Sequence, residues 1–176
     1  MAFSLIADGV YPAVEQIDPD WLAQNGIKLV LADLDNTLAS YSDSDFPEAA
    51  AAWARGLAQR GITLFILSNT RKPDRAGRFA RSLGLPYIER AGKPKALSFH
   101  RAMERLGCAP AQTVMVGDQV FTDVLGAKNA GIPVLLVRPI RLAGNPGRYV
   151  RYAVELPFRQ LAKGRSPFGS KAEAER

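Results

Sequence analysis

An α/β fold built on a parallel sheet with helices on both faces is the fold class this sequence predicts, and three observations carry it. Short apolar, β-branched runs recur at 27–33, 62–67, 86–89, 113–116 and 133–137, with a helical segment ended by a glycine between most of them. Strict alternation of strand and helix makes successive strands parallel, because each helix crosses back over the sheet. The runs lack polar alternation, as strands buried on both faces do. Finally, several runs end in carboxylates or in a hydroxyl and an amide, at the edge where open α/β sheets bind ligands.

Residues 1–17 read as an irregular lead-in around Tyr11-Pro12. Asp18 as N-cap, Pro19 in the first turn and Gly26 past the end predict a short helix. The strand from Ile27 then runs into Asp33-Leu34-Asp35-Asn36-Thr37-Leu38, where two carboxylates two residues apart leave the chain on the same side. Residues 39–46 form a polar loop, and Pro47 opens an Ala-rich helix stopped by Gly61. The strand over 62–67 ends at Ser68-Asn69-Thr70, and 74–83 predicts a helix with a basic face of Arg75, Arg78 and Arg81. After a short strand at 86–89, Lys93-Pro94 opens a helix that runs to Leu106 and stops at Gly107. The strand at 113–116 ends at Gly117-Asp118, a helix covers 122–130, and the strand at 133–137 follows. From Pro139 the composition turns to Arg, Gly and Pro, which predicts a partly ordered arm through Phe158. The expected organisation is a single domain over 1–160 and a polar, mobile tail over 161–176.

A chain of 176 residues suits one domain with a full core, and 47% apolar with 23% charged residues is an ordinary globular balance. The net charge of +6 favours anionic partners: phosphorylated substrates, nucleic acid or an anionic membrane surface. The single Cys108 excludes an internal disulfide and fits a reducing compartment; with His100 as the only histidine it also argues against zinc. No apolar stretch approaches the roughly 18 residues of a spanning helix, and Met1 to Val14 carries no positive n-region or sustained apolar run, so a soluble, cytoplasmic protein is expected. Trp21 and Trp53 read as packing residues and His100 as structural or exposed, while Arg138, Arg141, Arg148 and Arg151 read as a solvated face, with contact to an anionic substrate or partner as the alternative.

The polar stations are Asp33/Asp35, Ser68/Asn69, Lys93 and Asp118/Asp123. In a parallel sheet all carboxyl ends share one edge, so these distant groups can converge. Acidic oxygens suit a hard octahedral cation such as Mg2+, and a lysine and a hydroxyl beside it make a phosphate pocket. Phosphate-ester hydrolysis fits this inventory. Asp33 would attack phosphorus and Asp35 would move the protons, with the cation permitting one anion to approach another.

In order, Asp33-Leu-Asp35-Asn36-Thr37, Ser68-Asn69, Lys93-Pro94 and Gly117-Asp118-Gln119-Val-Phe-Thr122-Asp123 resemble the four motifs of the haloacid dehalogenase (HAD) superfamily. The wording is most similar to the small YqeG-type, class IIIA (HAD IIIA) phosphatases. The resemblance implies a three-layer Rossmannoid sheet in the order 5-4-1-2-3. It also implies Asp33 as nucleophile, Asp35 as acid/base, and Asn36, Thr37, Ser68, Asn69 and Lys93 around the phosphate. Asp33, Asp35 through its carbonyl, and Asp118 would hold magnesium, with Asp123 supporting it through water. Thr70 departs from the pattern, where many relatives carry a second Asn, and Lys95 is a rival for Lys93.

Only eight residues separate Leu38 from Pro47, and one helix and one short strand use up the chain between Asn69 and Lys93, so no cap domain fits. An open site suits a large substrate that excludes water itself, or a neighbouring subunit that covers it. The resembled group is similar to mitochondrial phosphatases acting on phosphatidylglycerophosphate, and a basic surface would help at an anionic bilayer. Two other readings stay open: a non-catalytic phosphate- or RNA-binding regulatory protein on the same scaffold, and a phosphotransferase or mutase.

Overall fold

Six parallel strands form one sheet: β1 (Gly9–Tyr11), β2 (Leu29–Ala32), β3 (Thr63–Leu67), β4 (Tyr87–Ile88), β5 (Thr113–Gly117) and β6 (Val134–Val137). Their spatial order is β1-β6-β5-β2-β3-β4. Numbered from the strand that carries Asp33, this is the expected 5-4-1-2-3 order with one further strand at the edge. The structure is a computed structural model, and it describes residues 4–141 and 146–168.

The alternation of side chains along each strand divides the core in two. Val30, Ala32, Leu64, Ile66, Val114, Val116, Leu135 and Val137 face one side of the sheet. They pack beneath α1 (Pro19–Gln24), α2 (Glu48–Gln59) and α3 (Arg75–Ser82). Leu29, Leu31, Phe65, Leu67, Met115, Val134 and Leu136 face the other side, towards α4 (Leu97–Leu106), α5 (Leu125–Ala130) and α6 (Pro146–Leu161). This is why the strand sequences are apolar throughout: each has a core on both faces. Trp53 is structural, its indole N–H donating to the Ile17 carbonyl at 2.8 Å, while His100 lies exposed on α4. Among the described residues no cap interrupts the chain after β2 or β3, and no helix is long and apolar enough to cross a membrane.

Three expectations need correction. The lead-in contains β1, which pairs Gly9, Val10 and Tyr11 with Leu135, Leu136 and Val137. The helix after Lys93-Pro94 begins only at Leu97, and the segment from 94 to 96 is a turn. The arm expected from Pro139 contains a helix of 16 residues, α6, with Pro157 inside it. Its inner face buries Glu155, Arg159 and half-buries Tyr152 and Phe158, with Phe158 edge-on to Phe121. Beyond it Ala162 is buried and Phe168 packs on Trp21 with ring centres 5.1 Å apart; residues 169–176 of the expected tail lie outside the described residues.

Candidate active site

From β2 the chain moves outward to β3 and β4, then returns to place β5 on the other flank of β2. The carboxyl ends of β2 and β5 therefore form the switch point of the sheet, where a crevice opens between diverging loops. Asp33 follows β2 directly, and its N–H donates to the Val116 carbonyl of β5 at 3.0 Å, fixing the carboxylate beside that strand. Asp118 follows β5, and Asp123 arrives on a wide π-helical turn, Val120–Val124, of the kind that often marks functional sites. All three carboxylates are buried, and an oxygen from each lies within 4.8 Å of the others.

Lys93 completes the cluster. Its ammonium lies 2.6 Å from Asp33 Oδ1 and 2.8 Å from Asp123 Oδ1, whereas Lys95 is exposed. Asn69 places it: the amide nitrogen donates to the Lys93 carbonyl and the amide oxygen accepts from the Lys93 N–H, both at 3.0 Å. Both polar ends of Asn69 are thus committed to the main chain of Lys93 and not to the pocket. Ser68 is buried at the end of β3, its hydroxyl accepting from the Thr70 N–H at 3.1 Å. Thr37 donates from its hydroxyl to Asp118 Oδ1 at 3.2 Å. Asn36 turns the loop after β2 at a left-handed φ of 67°, a conformation Asn tolerates better than most residues. Its side-chain oxygen is buried without a hydrogen-bond partner.

Three carboxylates facing one ammonium leave an excess of negative charge in a dry site. Burial pushes the Asp33 carboxyl up to about 7, against the pull of Lys93. Burial likewise raises Asp118, with Asp33 and Asp123 adding to the effect. Burial alone would lower the Lys93 ammonium, but the Asp123 and Asp33 carboxylates outweigh it and hold Lys93 charged. A divalent cation is the group this arrangement fits. The donors are hard oxygens, they converge, and Asp123 Oδ1 has no aligned hydrogen-bond donor.

Asp35 is placed differently. Its carboxylate lies outside the cluster and accepts from Arg75 Nε at 2.7 Å. The carbonyl that the resemblance assigns to the metal is a separate atom, which this ion pair does not engage. Arg75 is buried, not part of an exposed basic face, and its other nitrogens donate to the carbonyls of Asp43 and Ser40 at 2.7 Å each. It ties Asp35 to the polar loop over 39–46, which Lys72 also pins by donating to the Tyr41 carbonyl at 2.8 Å. Arg159 of α6 is a second buried cation, one that nothing in the sequence singled out. It donates to the Asp118 carbonyl and, at 3.1 Å, to the Val137 carbonyl. The spacing Glu155–Arg159, one helical turn apart, was the available signal for that helix.

Gly117 has a steric reason to be glycine: a Cβ there would lie 2.4 Å from the Asp123 carboxyl carbon. Gly117→Ala is expected to displace Asp123, lower stability by about 1–3 kcal/mol and weaken divalent-cation binding. Thermal unfolding and a cation titration of the purified variant measure both effects.

A model of the haloacid dehalogenase-like hydrolase family matches residues 15–131. Over 146 residues the chain is 32% identical to the probable phosphatase YqeG of Bacillus subtilis (strain 168), covering 83% of each sequence. It is 28% identical over 162 residues to a chloroplastic/mitochondrial phosphatidylglycerophosphate phosphatase 1 of Arabidopsis thaliana, covering 86% of this chain but 47% of that relative. Among solved structures, the 3-deoxy-D-manno-octulosonate 8-phosphate phosphatase of Moraxella catarrhalis, in complex with magnesium, phosphate and sugar, superposes with a TM-score of 0.52. That match is 19% identical and covers 81% of this chain and 96% of the other, a likeness of fold.

Proposed function

The chain belongs to the haloacid dehalogenase-like hydrolases and is a phosphatase, and from that premise we propose a magnesium-dependent phosphomonoester hydrolase that forms an aspartyl-phosphate on Asp33. The observation that carries this reading is the buried cluster of Asp33, Asp118, Asp123 and Lys93 at the switch point of the sheet. Asp33, Asp118, Asp123 and the Asp35 carbonyl would hold the ion. Bound there, magnesium would supply the charge neutralisation that lets a carboxylate approach a phosphate.

The chain's own groups account for the rest. An Asp33 oxygen attacks phosphorus, and the bond from phosphorus to the ester oxygen breaks. Arg75 holds Asp35 Oδ1, which leaves Oδ2 to give a proton to the departing alkoxide. The same oxygen then takes a proton from the water that attacks the phosphoaspartate, and Asp33 is released with inorganic phosphate. Lys93 balances the charge of the phosphoryl oxygens, and the Ser68 hydroxyl donates to one of them.

The absence of a cap supports a large substrate. A groove of about 590 Å3, lined by Asn69, Arg71, Arg90 and Gly92, opens beside Lys93 and offers two exposed arginines to a second anionic group. A phosphatidylglycerophosphate-like lipid, with one phosphate to be cleaved and another retained, has that chemistry. The similarity to the Arabidopsis relative supports the same choice.

Hydrolysis of a chromogenic phosphate ester by the purified protein is expected to require magnesium. A chelator should reduce it to background and added magnesium restore it, while calcium, larger and less demanding of octahedral geometry, should not. Turnover unaffected by chelation would overturn the metal-dependent reading.

A further inference from the structure

The outer face of α6 is apolar. Of the seven large apolar side chains exposed among the described residues, five lie on this one helix: Tyr149, Val150, Val154, Leu156 and Leu161. Val150, Val154, Pro157 and Leu161 follow one another at helical spacing, so they form a stripe along the side turned away from the core. Ile140, just before the helix, is also half exposed.

The charge of the protein is gathered on the same segment. Between residues 138 and 165 there are seven Lys and Arg against one Glu, an excess equal to the whole net charge of +6. The remainder of the chain is balanced, with 16 basic and 16 acidic residues. Arg138, Arg141, Arg151, Lys163 and Arg165 are exposed around the apolar stripe.

The other side of this helix touches the candidate site. Arg159 donates to the Asp118 carbonyl, and Arg151, Tyr152 and Glu155 share a small recess with Asn36 and Asp118. The stripe therefore stands about one helix diameter, ~10–12 Å, from the phosphate pocket.

We infer that α6 is an interfacial helix, which lies flat on an anionic bilayer and presents the active-site mouth to phosphate esters of lipid headgroups. An apolar stripe edged by cations is the pattern of helices that bind in the plane of such a surface, where aliphatic side chains enter the acyl boundary and arginines meet the headgroups. Two copies of this chain fit less well. A two-fold interface is self-complementary, so it would set the cationic rim of one copy against that of the other. RNA would engage the cations but has no use for exposed Val and Leu. The inference rests on the phosphatase reading for its substrate but not for its surface.

The test uses the full chain with vesicles of phosphatidylcholine mixed with phosphatidylglycerol, and with vesicles of phosphatidylcholine alone. The protein is expected to sediment with the mixed vesicles and remain in solution with the neutral ones. The double variant Val154→Asn/Leu161→Asn should lose at least about tenfold in partition to the mixed vesicles and hydrolyse a soluble chromogenic ester as the wild type does. That unchanged hydrolysis also certifies its fold. Vesicle binding without hydrolysis of any ester would sink the phosphatase reading and leave the surface standing. Hydrolysis with no vesicle binding, or with equal binding by the double variant, would overturn the surface. So would a dimer in sedimentation velocity that the double variant dissolves, or salt-sensitive RNA retention in place of vesicle binding.

Discussion

Asp33→Asn is expected to remove phosphatase activity by at least ~10^4-fold while leaving the protein as stable as the wild type or more so. The two effects have one origin. An amide keeps the shape of the carboxylate but has no nucleophilic oxygen, so the aspartyl ester cannot form. It also takes one negative charge out of a buried cluster that holds three carboxylates against one ammonium. Burial already pushes Asp33 up to about 7, which is the sign of a carboxylate that the folded protein, without a cation, does not favour in its charged form. Lys93 keeps Asp123 as its partner at 2.8 Å in the variant. Activity against a soluble ester and thermal unfolding in chelator, measured on the same preparation, check both halves. Residual turnover near the wild-type rate would remove Asp33 from the role of nucleophile.

Arg75→Met is expected to cost about 3–5 kcal/mol of stability, which for a chain of this size lowers Tm by roughly 10 °C. The arginine is 2% exposed and its three nitrogens serve three acceptors: Asp35 Oδ1 and the carbonyls of Asp43 and Ser40. Methionine fills the space but leaves a half-buried carboxylate and two carbonyls without donors. Arg75→Lys should rescue little, because a single ammonium cannot span acceptors that a planar guanidinium reaches with three separate nitrogens. Steady-state kinetics distinguish the positioning role from a merely structural one. The fall is expected in kcat, since Asp35 is no longer held for proton transfer, with KM for a small soluble ester little changed. A variant with wild-type kcat and a Tm within about 2 °C of the parent would show that the ion pair is incidental.

The central strands could be anticipated from sequence because each carries its own local signal, an apolar run with a polar ending; their order was implied only by the resemblance to the haloacid dehalogenase motifs. The convergence of Asp33, Lys93 and Asp118 was legible for the same reason: each marks a strand end or loop, and the sheet gathers them. What escaped notice depends on partners far along the chain. β1 is three residues long and exists only because β6, more than a hundred residues later, supplies its hydrogen bonds. Arg75, Arg78 and Arg81 share the spacing of a solvated helix face, and nothing local says that Arg75 turns inward to a carboxylate 40 positions earlier. Asn69 looks like a pocket residue in its motif, yet both ends of its amide hold the main chain of Lys93. The helix α6 was obscured because its solvent side is the apolar one, the reverse of the usual pattern, and because Gly and Pro surround it.

The return of the chain to β2 has a consequence for the protein at birth. As the polypeptide leaves the ribosome, Asp33 emerges long before Asp118 and Asp123, and Lys93 comes between them. Only when β5 has slid in beside β2 do the four meet. A nascent chain that ends before β5 carries Asp33 without Asp118 and Asp123, and so without the cluster that would hold a cation. On the reading proposed above, phosphatase activity is therefore expected to appear only after β5 has docked beside β2.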